Sequence, residues 1–227
     1  MVQCVAMNIE PKAVQLDKVL HLDTVLPIDA QDISFTNIEN CPCCGDSLEV
    51  ISSLTNEDGS ESVRIGYSNK CGYTGYIDKP TVDWIEKFYN ETWDVNTKKT
   101  AADVITFSHS VVVDILGELN VDKDASVFDI GAGYGQLLKQ LSDDGYTNLH
   151  GSEHSPHRAQ VATEYSGAKV THTPFRTDNI NSLKQAGSYE VMYSKSVMEH
   201  MYDPDGLFDT ASALQSEGDY LVVLVPN

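Results

Sequence analysis

The sequence predicts an α/β fold built on a parallel β-sheet, preceded by a small β-hairpin module. Three observations lead to this prediction. From Val121 onward, apolar runs typical of strands alternate with segments of helical pattern. A turn with three glycines on alternate positions separates the first of these strands from the first helix. Ahead of them, four of the five cysteines lie between Cys41 and Cys71, at the ends of two strand-like runs.

The length, charge and apolar content of the chain argue against some classes of partner. The 227 residues can form one ordinary domain and a small second one. The formal net charge of −19, from 34 acidic and 15 basic residues, argues against a nucleic-acid partner, because phosphate binding needs clustered lysine and arginine. No apolar run approaches the ~20 residues of a membrane span, and no leader pattern opens the chain. We therefore expect no membrane partner and a cytoplasmic location.

The chain divides into four expected regions. Residues 1–34 give a weak pattern and form an N-terminal arm. Residues 35–80 hold the cysteines and two strands, "SLEVISSL" and "ESVRIGY", joined by the polar turn "TNEDGS". Residues 81–120 form linker helices, and residues 121–227 form the α/β core. The linker assignment rests on apolar residues at helical spacing: Val82, Ile85, Phe88, Tyr89, Trp93, Val104, Ile105, Val112, Ile115, Leu116 and Leu119.

Five strands and three helices alternate in the core. The strands are "ASVFDI", "TNLHGSE", "AKVTHTPF", "SYEVMYS" and "DYLVVLVP", the last apolar throughout, as expected for a strand covered on both faces. The first helix, "YGQLLKQLSDD", ends at Gly145. Ser155 and Pro156 begin the second helix as N-cap and first residue, and Gly167 ends it. Asp203 and Pro204 begin the third helix in the same way.

The glycine-rich turn in "VFDIGAGYGQLL" points to a nucleotide-like ligand without phosphate. Its spacing is not that of a dinucleotide fingerprint, and it lacks the lysine of a phosphate-binding loop. Asp129, two residues before the first glycine, would repel a pyrophosphate but tolerate an amine or a sulfonium. Glu153, at the end of the next strand, can accept hydrogen bonds from both ribose hydroxyls. The alternatives are a plain tight turn at the glycines and a solvated strand end at Glu153.

Four segments in order, "VFDIGAGYGQLL", "LHGSEHSP", "YEVMYSKSVMEHMYDPDGLF" and "GDYLVVLVPN", resemble successive motifs of the class I S-adenosylmethionine-dependent methyltransferases. The resemblance covers about residues 121–227, and the last two segments are similar to the branch with "EH" after the fourth strand. It implies a Rossmann-like, doubly wound parallel sheet. The family's sheet has seven strands and we count five, so we expect the last two to be lacking. Strand five is then an exposed edge unless the N-terminal helices, a second copy in a homo-oligomer or a partner chain cover it.

The resemblance also implies a binding site for S-adenosyl-L-methionine. Around its methionine part it implies Asp129, Gly131, Ala132, Gly133 and Gly135. Glu153 would bind the ribose, and Asp178, after the third strand, would meet the adenine amine. Ser194, followed by Lys195, lies at the tip of the fourth strand, where the family's cofactor and acceptor meet.

Glu199 and His200 follow the fourth strand and are the candidate catalytic pair. Methyl transfer needs an aligned nucleophile and often the removal of a proton. Histidine is a side chain that can exchange a proton near neutral pH, so His200 could act as the base. Glu199 can orient it, bind an amine of the acceptor or help to hold a metal; the alternative is that the pair only packs the loop and caps the helix. We expect the remaining histidines to be surface or core residues: His21, His109, His150, His154, His157 and His172.

The cysteine module resembles a zinc ribbon, in which two C-x-x-C loops hold one ion. Cys41 and Cys44 form the first loop, but the second reads "SNKCG", so that Ser68 stands at one ligand position and Cys71 at the other. Cys43 in altered geometry, a water or an acid could complete the shell; alternatively, the ribbon is degenerate and held by apolar contacts. Similar zinc-binding modules precede some methyltransferases that act on sugars and other small molecules.

Three functions compete at this point. The first is methyl transfer to a small-molecule acceptor, with a sugar as one candidate class. The second is a truncated, non-catalytic relative that binds the cofactor or a partner chain. The third, a nucleic-acid methyltransferase with a zinc finger, is disfavoured by the charge.

Overall fold

The computed structural model describes residues 34–55, 61–92, 109–184 and 188–225. The expectations for the N-terminal arm, Trp93, Val104, Ile105 and the end of the chain after Val225 lie outside these residues. The protein forms two compact units, the first ending at Thr81 and the second beginning at Val82.

The first unit consists of short antiparallel strands. They are β1 (Phe35–Asn37), β2 (Glu49–Thr55), β3 (Glu61–Tyr67), β4 (Thr74–Tyr76) and β5 (Asp78–Pro80). Strands β2, β3 and β4 form one sheet, and β1 pairs with β5. The predicted hairpin is confirmed as β2 and β3. Arg64 of β3 binds both carboxylate oxygens of Asp78 in β5, at 2.7 and 2.9 Å, and this contact lowers the pKa of Asp78.

The second unit has a five-stranded parallel sheet with helices around it. Its strands are β6 (Val127–Ile130), β7 (Leu149–Glu153), β8 (Lys169–His172), β9 (Val191–Lys195) and β10 (Tyr220–Leu224). Its helices are α1 (Val82–Lys87), which continues as a π-helical turn (Phe88–Thr92), α2 (His109–Glu118), α3 (Gln136–Asp143), α4 (Pro156–Ser166), α5 (Ile180–Leu183) and α6 (Asp205–Leu214).

The order of the parallel strands is β10-β9-β6-β7-β8. The chain starts in the middle at β6, moves outward to β8, and then crosses over to β9 and β10 on the other side. This arrangement confirms the predicted Rossmann-like, doubly wound sheet. In such sheets, ligands bind outside the carboxyl ends of the strands where the order reverses. Here that point lies between β6 and β9, directly after Asp129 and Tyr193, which are neighbours in register.

Apolar clusters cover both faces of the sheet. One cluster joins Val127 and Leu149 of the sheet to α2 and α3, and the other joins Phe128 and Met192 to α6. Burial on both faces explains why the central strand β6 is buried along its whole length.

The ends of α4 follow the predicted signals. The Ser155 hydroxyl accepts a hydrogen bond from the Arg158 backbone N–H, and Pro156 is the first helical residue. Gly167 ends the helix with a left-handed backbone, φ +75°. At α6 the start differs from the prediction by one residue: Pro204 is the N-cap and the helix begins at Asp205, while Asp203 accepts a hydrogen bond from Gly206 N.

Strand β10 differs from the expectation of a strand covered on both faces. It lies at one edge of the sheet and pairs with β9 only, among the residues that the structure describes. Most of its side chains are half-buried, and Tyr220 is exposed. No described helix has the length and the apolar character that crossing a membrane requires.

Candidate functional site

The glycine-rich loop begins where β6 ends and is fixed to the neighbouring strand. The backbone N–H groups of Gly131 and Ala132 both donate to the carbonyl oxygen of Ser152 in β7, at 2.9 Å. Gly135 N donates to Ala132 O at 2.9 Å and closes the turn before α3. These backbone hydrogen bonds fix both ends of the loop.

Two glycines of the loop have positive φ, but the space around them differs. At Gly135, φ +77°, a Cβ atom would lie 2.8 Å from the Cα of Ala162, so the glycine permits α3 to pack on α4. At Gly133, φ +55°, a Cβ atom would meet nothing within 4 Å. A tight-turn role accounts for Gly135, whereas Gly133 presents bare backbone to open space at the ligand edge of the sheet.

Glu153 is buried at the end of β7, which excludes the alternative of a solvated strand end. One carboxylate oxygen accepts from Gly133 N at 2.8 Å and the other accepts from Ser155 N at 2.9 Å. Each oxygen of an ionised carboxylate has a second acceptor position. Glu153 thus joins the glycine-rich loop to the turn after β7, and its carboxylate is of the kind that accepts hydrogen bonds from hydroxyl groups.

Asp129 lies near the end of β6 and is buried. Burial disfavours the ionised form of its carboxyl group. Desolvation raises the pKa of Asp129 to about 7; the neighbouring Tyr193 hydroxyl and Lys195 ammonium lower it, and the Glu153 carboxylate raises it. The sequence suggested a simple carboxylate at this strand tip. The structure shows instead a carboxyl group that changes charge near neutral pH.

Ser194 in β9 is fully buried, and its hydroxyl oxygen has no hydrogen-bond partner among the described residues. A buried polar group without a partner is costly, which is a reason to expect a ligand there. The open space at Gly133, the buried Asp129 and this hydroxyl together fit a polar, cationic ligand.

The candidate catalytic pair lies on a short 3₁₀ helix, Met198–His200, just after β9. His200 Nε2 is 3.9 Å from a carboxylate oxygen of Glu199, and 62% of the His200 side chain is exposed. The backbone N–H of His200 donates to Val197 O at 2.9 Å. The pair lies beside the ligand edge of the sheet, and its catalytic role stays a prediction.

Asp178 lies apart from this group, on the 3₁₀ helix Thr177–Asn179. Two thirds of its side chain is exposed, and its carboxylate receives hydrogen bonds from the Arg176 guanidinium at 3.3 Å. Arg176 also binds Glu86 of α1 at 2.6 Å. The role of Asp178 toward adenine stays a prediction.

Tyr89 belongs to the neighbourhood of the site, although the sequence suggested only a helix face for it. Its ring centroid lies 5.1 Å from that of His154, which follows β7. Burial raises the pKa of Tyr89, and the carboxylates of Glu153 and Glu199 raise it further, whereas Arg158 opposes them. The π-helical turn that carries Tyr89 is a rare element often found at functional sites. No sequence signal distinguishes this tyrosine from its apolar neighbours.

In the first unit, three predicted metal ligands come together. The sulfur atoms of Cys41, Cys44 and Cys71 all lie within 4.8 Å of one another. Hydrogen bonding, above all from the Ser68 hydroxyl at 3.3 Å, lowers the pKa of Cys44 to about 7. Cys43 is exposed and lies outside this cluster. The donor set suits a thiophilic ion such as Zn²⁺.

Comparison with protein families identifies the second unit. A family described as "Methyltransferase domain" matches residues 110–227, which is just over half of the chain. The chain belongs to this methyltransferase family. The match confirms the family that the glycine-rich and "EH" segments indicated. Curated proteins gave no match.

Solved methyltransferase structures resemble this methyltransferase chain at low sequence identity. A methyltransferase from Geobacter sulfurreducens in complex with S-adenosyl-L-homocysteine is 13% identical over 52% of this chain and 48% of its own, with a TM-score of 0.42. One from Thiobacillus denitrificans with the same ligand is 14% identical over 64% and 55%, also with a TM-score of 0.42. Magnesium protoporphyrin IX methyltransferase from Synechocystis PCC 6803 is 17% identical over 48% and 50%, with a TM-score of 0.41. The chain spans about half the length of these structures.

Proposed function

We propose that this chain is an S-adenosyl-L-methionine-dependent methyltransferase that acts on a small-molecule acceptor. One observation carries the proposal: buried polar side chains lie at the carboxyl ends of β6, β7 and β9, and Gly133 in the loop after β6 presents bare backbone to open space. Membership of the methyltransferase family supports it.

Each residue of the site has a separate binding role in this proposal. The Glu153 carboxylate would accept from the two ribose hydroxyls, while its bonds to Gly133 N and Ser155 N keep the loop closed. Asp129 and the Ser194 hydroxyl would receive the cationic amino group of the methionine part. Asp178 would meet the adenine amine, after a rearrangement of its contact with Arg176.

When bound, the cofactor supplies an electrophilic methyl group on a positively charged sulfur. The chain's own task is to align the acceptor and to remove its proton. His200 would accept that proton at an imidazole nitrogen, and Glu199, 3.9 Å away, would stabilise the resulting imidazolium. Tyr89 would cover the site from the side of α1 and limit the access of water.

The acceptor class follows from charge and from the cysteine module. A net charge of −19 disfavours polyanionic acceptors, and the module resembles those that precede methyltransferases acting on sugars. We therefore propose a sugar or another small molecule, and the cytoplasm as the location. In the first unit, Cys41, Cys44 and Cys71 would hold Zn²⁺ as a structural ion.

Two experiments distinguish a catalytic methyltransferase from a non-catalytic relative. Calorimetry with S-adenosyl-L-methionine and the intact chain should give a saturable heat. Gly133→Ala should lose at least about tenfold in affinity, because the added Cβ enters the open space. Gly145→Ala is the matched control: it also has positive φ and free surroundings, but it lies at the end of α3.

Absence of any heat with the intact chain would remove both the catalytic and the non-catalytic binding function. Transfer of a labelled methyl group to a panel of sugars and sugar phosphates then distinguishes the two. His200→Ala should lower the rate about 10²-fold or more without a change in cofactor affinity. Cofactor binding without transfer to any acceptor would favour the non-catalytic relative.

A further inference from the structure

The two loops of the cysteine module have the same backbone structure, although their sequences differ. In the first, Gly45 N donates to Cys41 O at 2.9 Å, and Gly45 has φ +72°. In the second, Gly72 N donates to Ser68 O at 2.9 Å, and Gly72 has φ +78°. Each loop therefore places its first residue and its fourth in equivalent positions, and Ser68 corresponds to Cys41.

The side-chain distances match a tetrahedral site with one oxygen corner. Zn–S bonds of ~2.3 Å separate two sulfurs by ~3.8 Å, and a Zn–O bond of ~2.0 Å separates oxygen from sulfur by ~3.5 Å. The structure has 3.5 Å between the sulfurs of Cys41 and Cys71, and 3.3 Å between Ser68 Oγ and the sulfur of Cys44. These two distances, with the three sulfurs within 4.8 Å of one another, are compatible with a tetrahedral site that Ser68 Oγ completes.

Burial distinguishes Ser68 from an ordinary loop serine. Ser68 has 0% exposed surface, whereas Cys43, the spare thiol next to the cluster, is exposed. The hydroxyl therefore faces the cluster and not water. Cys4, the remaining cysteine, lies outside the described residues, and its serine variant serves as a control in the experiment.

We propose that Ser68 Oγ is the fourth ligand of a single Zn²⁺ ion held by Cys41, Cys44 and Cys71. This inference rests on the zinc site in the proposed function and adds the fourth corner to it. A hydroxyl is a weaker ligand for Zn²⁺ than a thiolate. The site should therefore bind the ion more weakly than its own four-thiolate variant, Ser68→Cys.

The test is titration of the metal-free, reduced full chain with Co²⁺, followed by competition with Zn²⁺. Thiolate-to-cobalt absorption rises with the number of bound thiolates. The wild type should therefore show the absorption of three bound thiolates, and Ser68→Cys that of four. We expect Ser68→Cys to bind Zn²⁺ at least about tenfold more tightly and Ser68→Ala about tenfold more weakly. Cys43→Ser and Cys4→Ser should match the wild type.

Three results would overturn the assignment. One is Ser68→Ala with wild-type affinity and spectrum, and another is loss of a thiolate signal in Cys4→Ser or Cys43→Ser. The third is Ser68→Cys with neither tighter binding nor added absorption; this variant remains informative if Ser68→Ala fails to fold, which circular dichroism reports. Failure of the wild type to bind Co²⁺ or Zn²⁺ would refute the zinc site as a whole, while cofactor calorimetry tests the methyltransferase function independently.

Discussion

Replacing Asp129 with Asn should stabilise the apo protein at pH 8 and remove a pH dependence of its folding. Asp129 is buried, and its pKa in the folded state is about 7, against 3.8 in an exposed chain. Between these values the unfolded chain has lost the proton that the folded chain keeps. The free energy of unfolding therefore falls as the pH rises from about 4 to about 7, and levels off above. The neutral Asn side chain has no such dependence.

The size of the effect follows from the shift. One pKa unit corresponds to about 1.4 kcal/mol, so the full rise is worth about 4 kcal/mol as an upper bound. At pH 5, part of this contribution to the free energy of unfolding has already been lost. Between pH 5 and pH 8 the wild type should lose about 2.5 kcal/mol through Asp129 alone.

Urea denaturation at several pH values, with the wild type and Asp129→Asn, measures this loss as a difference. Other groups also titrate in this range: burial lowers the pKa values of His150 and His154, and their contribution to stability rises with pH. Because both proteins contain these histidines, the difference between them isolates Asp129. Asp178→Asn, at an exposed carboxylate, is the control. Parallel pH profiles for the wild type and Asp129→Asn would refute the assignment.

The same carboxyl group should make cofactor binding depend on pH. A cationic amino group beside Asp129 favours its ionised form, so the affinity for S-adenosyl-L-methionine should increase about tenfold from pH 6 to pH 8 in the wild type. Asp129→Asn should bind more weakly and show a flatter profile. Calorimetry in two buffers of different ionisation enthalpy would detect the released proton; a flat wild-type profile would show that Asp129 does not face the amine.

Three further predictions concern the fold of the site and its cover. Gly135→Ala should destabilise the fold by about 2–4 kcal/mol in urea, because its Cβ would meet the backbone of Ala162, whereas Gly167→Ala, with similar φ and free surroundings, should cost about 1 kcal/mol. Glu153→Gln should cost about 1–3 kcal/mol and weaken cofactor binding, since an amide NH₂ would oppose a backbone N–H; unchanged stability would contradict this. Tyr89→Phe should retain cofactor affinity in calorimetry and Tyr89→Ala should lose about tenfold, so that equal losses would exclude a role for the ring.

Much of the fold could be predicted from the sequence because its signals are local. The start of α4 at Ser155 and Pro156 and its end at Gly167 depend on the chemistry of single residues, and the structure confirms them. The alternation of strands and helices likewise predicts a parallel sheet, and the structure confirms it. Strand β10 departs from the expectation of cover on both faces because its composition reports hydrophobicity, not which elements pack on its faces.

The sequence predicts which residues form the site, which stays a prediction, but not the physical state of those residues in the fold. The glycine pattern located the loop, yet the ionisation of Asp129 depends on burial by residues distant in sequence, which no local pattern reports. Tyr89 comes near Glu153 only through the path of a helix some 60 residues earlier in the chain. The sequence shows that Ser68 stands where a cysteine is expected, but it does not show that the hydroxyl lies 3.3 Å from the sulfur of Cys44.

The contact between Gly133 and Glu153 links the two halves of the sequence pattern in the fold. The carboxylate proposed to bind the ribose also accepts the backbone N–H of Gly133, at 2.8 Å, and that of Ser155, at the start of α4. The loop after β6 and the turn after β7 are therefore held by one buried side chain. This contact makes the two halves of the pattern depend on each other, since without Glu153 the loop loses an anchor, and without Gly133 the carboxylate loses one of its two donors.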